Sequence, residues 1–176
     1  IFVGPDCAAS RQGLQWFARH VLPCLPERLH LHVHGGACAA VEAGPRITLH
    51  GEADDIAGIY RDFAVAIDPA TLSGAPRIEN LEALWAGMPL VTSAEGARGL
   101  EMFEGHGLHV ARSRQDFCRQ IVAASTALDS GDAMPQREDI RAAYRQDAEC
   151  GYFPGLLRQL CGRPLNLLAG RKAQQA

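Results

Sequence analysis

Strand-length apolar runs alternate with segments of helical period through most of this chain, and that alternation constrains its fold more than any other feature. IFVG, LHLHVHGG, RITLHG, FAVAID, PLVTS and GLHVA are the strand-length runs. After the first, Leu14, Phe17, Ala18, Val21 and Leu22 recur at i, i+3, i+4, i+7 and i+8, which predicts a helix closed by Pro23 and Pro26. An alanine-rich stretch of one or two helical turns follows the second run, and DDIAGIYRD reads as a short helix before the fourth. Beyond the loop PATLSGAP, Pro76 suits the first turn of a helix whose apolar face is Ile78, Leu81, Leu84 and Trp85 and which Gly87 stops. Ser113 and Asp116 predict a capping box for a helix carrying Phe117, Ile121, Ala124 and Leu128. Helical segments around 140–148 and 154–160 and a frayed tail, AGRKAQQA, complete the reading.

Strands joined through helices form right-handed βαβ units and a parallel sheet. The expectation is an α/β fold: a doubly wound, Rossmann-like parallel sheet of about six strands with helices on both faces. It spans residues 1–162, with 163–176 as a C-terminal tail. Ligands of such sheets bind beyond the carboxyl ends of the strands, near the reversal of strand order. The candidate positions are Gly4 to Gly13, Gly35 and Gly36, His50 to Ala53, Asp68 to Ile78, and Ser93 to Gly99.

A length of 176 residues is about one domain, and 47% hydrophobic with 21% charged residues is ordinary for a globular chain. A net charge of −3, with basic residues scattered singly, offers no footprint for nucleic acid. Six cysteines without a CxxC pair predict reduced thiols and a cytoplasmic chain. No run of about 18 apolar residues predicts a transmembrane segment. IFVGPD lacks a signal peptide's basic region, and we expect it to be a core strand preceded by further chain.

HLHVH sets His30, His32 and His34 on one strand face, but nothing else is spaced to complete a metal site, so no metal is expected. A polar strand face, or packing against a neighbouring element, is the preferred reading. Trp16 and Trp85 are expected in helix packing, and the loop SAEGARG either turns the chain or presents backbone N–H groups to a phosphate. Glu82 is harder to place. A carboxylate on a helix between apolar residues needs a solvated face, an ion pair such as one with Arg77, or a ligand.

Three stretches resemble the C-terminal, donor-binding domain of GT-B glycosyltransferases, family 4 above all. FVG with GLQWFARHVLPCLP is similar to that family's first strand, glycine loop and helix. GEADDIAGIYRDFAVAIDP is similar to the segment leading to its donor loop. GAPRIENLEALWAGMPLVTSAEGARGLE, the most specific of the three, resembles its donor loop, glutamate-bearing helix and the loop after the next strand.

The resemblance covers about residues 1–125 and implies a nucleotide-diphosphate sugar as donor substrate, no cofactor and no metal. It also implies retention of anomeric configuration and an N-terminal Rossmann-like acceptor domain, apparently absent from this chain. It assigns Glu82 to the donor ribose, where a carboxylate accepts from two vicinal hydroxyls. It assigns Gly4, Arg11, Arg77 and Ile78 to the diphosphate and Gly74, Ala75 and Pro76 to the donor loop. His50, Gly51 and Glu52 fall to the base region, and Ser93 and Gly96 to a loop at the cleft. There are departures. Gly74 stands where many members carry a glutamate, Glu79 where related subfamilies have a lysine, and Pro5 and Gln12 near positions usually arginine and lysine. The alternative is a non-catalytic, degenerate glycosyltransferase-fold module that binds nucleotide or protein.

Overall fold

The computed structural model describes residues 1–52, 59–72, 77–129 and 142. All six expected strands are present: β1 (Phe2–Val3), β2 (Leu31–His34), β3 (Ile47–Gly51), β4 (Ala66–Asp68), β5 (Leu90–Ser93) and β6 (Leu108–Ala111). They form two three-stranded sheets, β1-β2-β3 and β4-β5-β6, with every pairing parallel. The Ile67 N–H donates to the Ile1 carbonyl at 2.9 Å, and the Ile1 nitrogen donates to the Val65 carbonyl at 2.7 Å. These two bonds set β1 beside β4. The strand order is therefore 3-2-1-4-5-6, with its reversal between β1 and β4, the position at which doubly wound sheets open a crevice.

Helix α1 (Ala8–Trp16) continues as a wide π turn, Phe17–Val21, and a 3-10 turn, Leu22–Cys24. Pro23 explains the irregular end, because it has no N–H for the helical ladder. The alanine-rich stretch is a 3-10 turn, Gly36–Ala40, and the described end of DDIAGIYRD is another, Tyr60–Asp62. Helix α2 (Ile78–Trp85) ends as expected at Gly87, whose φ of 78° only glycine adopts freely. There Gly87 N–H reaches the Leu84 carbonyl and Met88 N–H the Ala83 carbonyl, both at 2.9 Å, which closes a Schellman motif. Helix α3 (Arg114–Asp129) is capped by Ser113, whose Oγ accepts from Asp116 N–H at 3.1 Å. The Asp116 carboxylate returns to the Arg112 N–H rather than to that of Ser113, one residue earlier than a strict capping box places it.

Strand alternation divides the core between two faces. Ile67 and Val91 join Leu14, Phe17, Phe117 and Ile121 in the cluster under α1 and α3. Phe117 meets Trp16 and Phe17 edge-on, with centroids 5.8 and 6.3 Å apart, which ties α3 to α1. Asp68 and Thr92, next along β4 and β5, face the other way, toward α2. On α2 the buried residues are Asn80, Leu81, Ala83 and Leu84. Ile78 and Trp85 are instead exposed, at 39% and 43%. This corrects the expected apolar face: the buried stripe is rotated onto Asn80, and residues 78, 82 and 85, at i, i+4 and i+7, share the side turned from the sheet.

Candidate functional site

Arg77 precedes α2 with extended backbone (φ −86°, ψ 129°), and its side chain lies where β1 and β4 end. Its Nη2 donates to Ser10 Oγ at 2.9 Å, and its guanidinium carbon sits 5.6 Å from the centroid of the Phe2 ring. Nη1 is 3.4 Å from Asp68 Oδ1, and Nε is 3.9 Å from Glu79 Oε2. The Gly4 loop closes over it: a Cβ added to Gly4 would stand 2.8 Å from Nη2. The Gly4 amide donates to the His34 carbonyl and the Gly4 carbonyl accepts from Ala37 N–H. What Gly4 contributes is therefore room for the guanidinium and not a free donor.

Asp68 anchors this arrangement. It is 2% exposed, and its Oδ2 accepts from Asn80 Nδ2 at 2.7 Å. Asn80 Nδ2 also donates to the Gly96 carbonyl at 3.1 Å, and Thr92 Oγ1 donates to the Asp68 carbonyl at 2.8 Å. Gly96 is packed so closely that a Cβ there would lie 2.5 Å from Asp68 Oδ2. Burial pushes the Asp68 carboxyl above the usual range, and the Arg77 charge and the Asn80 hydrogen bond offset that rise only in part. Asp68 Oδ1 and Arg77 Nη1, both buried, face each other without a hydrogen bond. Ser10 and Asp68 lie within the ligand stretches expected from the sequence, without a role of their own, and Asn80 lies outside them. The signals were there: Asp68 ends an apolar run and Asn80 interrupts the helical face after Ile78.

Glu82 is half-buried, and among the described residues no hydrogen bond or ion pair reaches its carboxylate. Burial raises its carboxyl above the usual range, and the neighbouring Glu79 charge adds to the rise. Tyr60, whose hydroxyl donates to the Glu79 carbonyl at 3.1 Å, senses Glu82: burial first, then the charges of Glu82 and Glu79, push its phenol up.

The remaining sequence candidates are dispersed. Arg11 is exposed on the first turns of α1 and pairs bidentately with Asp6 of the preceding loop, Nη2 to Oδ2 at 2.7 Å, so its charge is already met. Ile78 is the exposed first residue of α2. Gly74, Ala75 and Pro76 lie outside the described residues. His50 stacks on His34 with centroids 4.2 Å apart, Gly51 takes a φ of 75°, and Glu52 is exposed. Ser93 closes its own loop: Oγ donates to the Ala70 carbonyl at 2.6 Å and accepts from Gly96 N–H at 3.2 Å.

Residues 1–126 match the family model described as glycosyl transferases group 1. Among solved structures, the chain is similar to WaaG, a glycosyltransferase involved in lipopolysaccharide biosynthesis. That match has a TM-score of 0.61 at 18% identity and covers 82% of this chain and 42% of that one. It is also similar to a glycosyltransferase from Rickettsia africae ESF-5, with a TM-score of 0.58 at 13% identity, covering 89% of this chain and 48% of that one. The chain thus spans less than half the length of these two GT-B structures, and the likeness is one of fold. No curated protein matches the chain.

Proposed function

We propose, from the premise that this chain belongs to the glycosyl transferases group 1 family, that it is the C-terminal, donor-binding half of a family 4-like GT-B enzyme. It would take a sugar, of hexosyl type, from a nucleotide-diphosphate donor and pass it on with retention of configuration. A second, N-terminal Rossmann-like domain would hold the acceptor, and without it this half is inactive. The site is cytoplasmic and works without metal or cofactor.

The observation that carries this reading is Glu82, a half-buried carboxylate with no partner among the described residues. Such a group has lost part of its hydration, and a ligand that hydrogen-bonds to it would restore what burial removes. A ribose with two hydroxyls answers that need. Arg77 supports the same reading, since a leaving diphosphate requires positive charge aimed at it and the guanidinium lies against the Gly4 loop. The non-catalytic alternative draws support from the acidic residues nearby. Asp6 takes up Arg11, and Glu79 stands 3.9 Å from Arg77.

Calorimetric titration of the intact protein with nucleoside diphosphates separates the two. Glu82→Ala should cost about 1.5 to 3 kcal/mol of binding, the scale of a hydrogen bond to a charged group, with little change in melting temperature. Unchanged affinity with a large loss of stability would make Glu82 structural and remove the anchor of this reading. Tight nucleotide binding without any turnover of nucleotide sugars would favour the non-catalytic module.

A further inference from the structure

We propose that Asp68 is a positioning residue for the donor site: from within the core it fixes the direction of Arg77, so that the guanidinium meets the donor diphosphate beside Gly4. This rests on the donor-binding reading above. Three observations carry it. The first is competition for the guanidinium. Arg77 has two acidic neighbours, and Asp68, at 3.4 Å, is closer than Glu79, at 3.9 Å. Pairing with Glu79 alone would keep the guanidinium beside α2, whereas Asp68 and Ser10 together hold it between the ends of β4 and β1.

The second is that Asp68 is itself immobilised. Asn80 Nδ2 holds its Oδ2, Thr92 holds its backbone carbonyl, and the absence of a side chain at Gly96 leaves just the space it fills. A group meant only to neutralise Arg77 would need none of this. A planar guanidinium aimed at a fixed target needs a carboxylate that cannot move. The third is the unsatisfied geometry. Asp68 Oδ1 and Arg77 Nη1, both buried, stand 3.4 Å apart without a hydrogen bond, so the carboxylate holds the guanidinium by charge and not by a closed bidentate pair. Asn80 reaches both Asp68 and the Gly96 carbonyl, which links the loops after β4 and β5 to the same cation.

The test uses the intact protein and UDP, GDP and ADP as probes, with the tightest of the three carried forward. Arg77→Ala should weaken it about tenfold or more. Asp68→Asn, which keeps shape but removes the charge, should weaken it by a similar factor. In the double variant the second change should add less than twofold, because a residue acting only through Arg77 has nothing left to position. A merely structural Asp68 would weaken binding equally in both backgrounds, and that result overturns the proposal. So does an Asp68→Asn variant that binds as tightly as the parent or more tightly, which would mean that Asp68 competes with the ligand for Arg77. If Arg77→Ala itself binds like the parent, Arg77 does not meet the diphosphate and this proposal falls, whereas the donor-site reading falls only if Glu82→Ala leaves affinity unchanged, which distinguishes the two failures. Should Asp68→Asn not fold, Asn80→Ala frees the carboxylate without deleting it. A loss of about threefold, absent in the Arg77→Ala background, is then expected, and no loss overturns the proposal.

Discussion

Glu82 and His34 are opposite answers to the burial of a titratable side chain. Glu82 is only half-buried, and its carboxyl is raised by burial first and then by the Glu79 charge. His34 is 7% exposed, stacks within 2° of parallel on His50, and has no hydrogen bond at either ring nitrogen. Desolvation first, then the charges of His50 and His32, lowers its pKa to about 4. The folded chain therefore refuses a proton that the unfolded chain takes up near 6.5. Above that value both states are neutral and the stability is whole; as pH falls from 6.5 toward 4 it is lost. At about 1.4 kcal/mol per pKa unit, the loss by pH 5 reaches up to about 2 kcal/mol. Melting curves from pH 8 to 5 should therefore slope less for His34→Phe than for the parent chain. Parallel slopes would mean that this imidazole is not held neutral by its surroundings.

At the scale of elements, the packing of α1 depends on one missing side chain. Gly13 lies so close to the loop after β4 that a Cβ would overlap the Pro69 carbonyl oxygen, and backbone cannot move aside as a side-chain tip can. Gly13→Ala should destabilise the domain by about 1 to 3 kcal/mol, the usual cost of overpacking. Gly44 is the natural control, since nothing lies within 4 Å of a Cβ placed there. Gly44→Ala should stay within about 0.5 kcal/mol of the parent. Equal effects in denaturant titration would show that α1 tolerates displacement from β4. Such displacement would also carry Ser10, and with it one of the contacts of Arg77.

For the whole molecule, the parallel order 3-2-1-4-5-6 brings β1 and β4 together although more than sixty residues separate them. That juxtaposition makes the Arg77 site from a loop, a helix and a strand end. The same topology gathers His32, His34 and His50 beside Phe63, yet they meet as stacked rings: His32 Nδ1 and His50 Nε2 are 2.9 Å apart and bonded to each other. Among the described residues no group of three or more His, Cys, Asp or Glu is arranged to hold a metal ion. Zinc, manganese or magnesium should therefore leave the melting temperature of the intact protein unshifted. A saturable, one-to-one stabilisation that vanishes in His32→Ala would show that the stack opens to bind metal.

Periodicity in the sequence was enough to determine the six strands, the parallel class of the sheet, the stop of α2 at Gly87 and the cap of α3 at Ser113. Each depends on the order of residues within a few turns of backbone. Glu82 was legible as an anomaly for the same reason, as a charge among helical apolar positions. The rotation of α2 was not, because Ile78 and Trp85 look like core by spacing. Only the pull of Asn80 toward Asp68, twelve residues earlier in the chain, turned them outward. The pairings of Arg77 were equally hidden: its contact with Ser10 spans 67 positions, and its choice between Asp68 and Glu79 is made by distance and burial. Local pattern decides what an element is, whereas the partners of a buried charge are decided when the sheet closes, since only then are the competing groups within reach of one another.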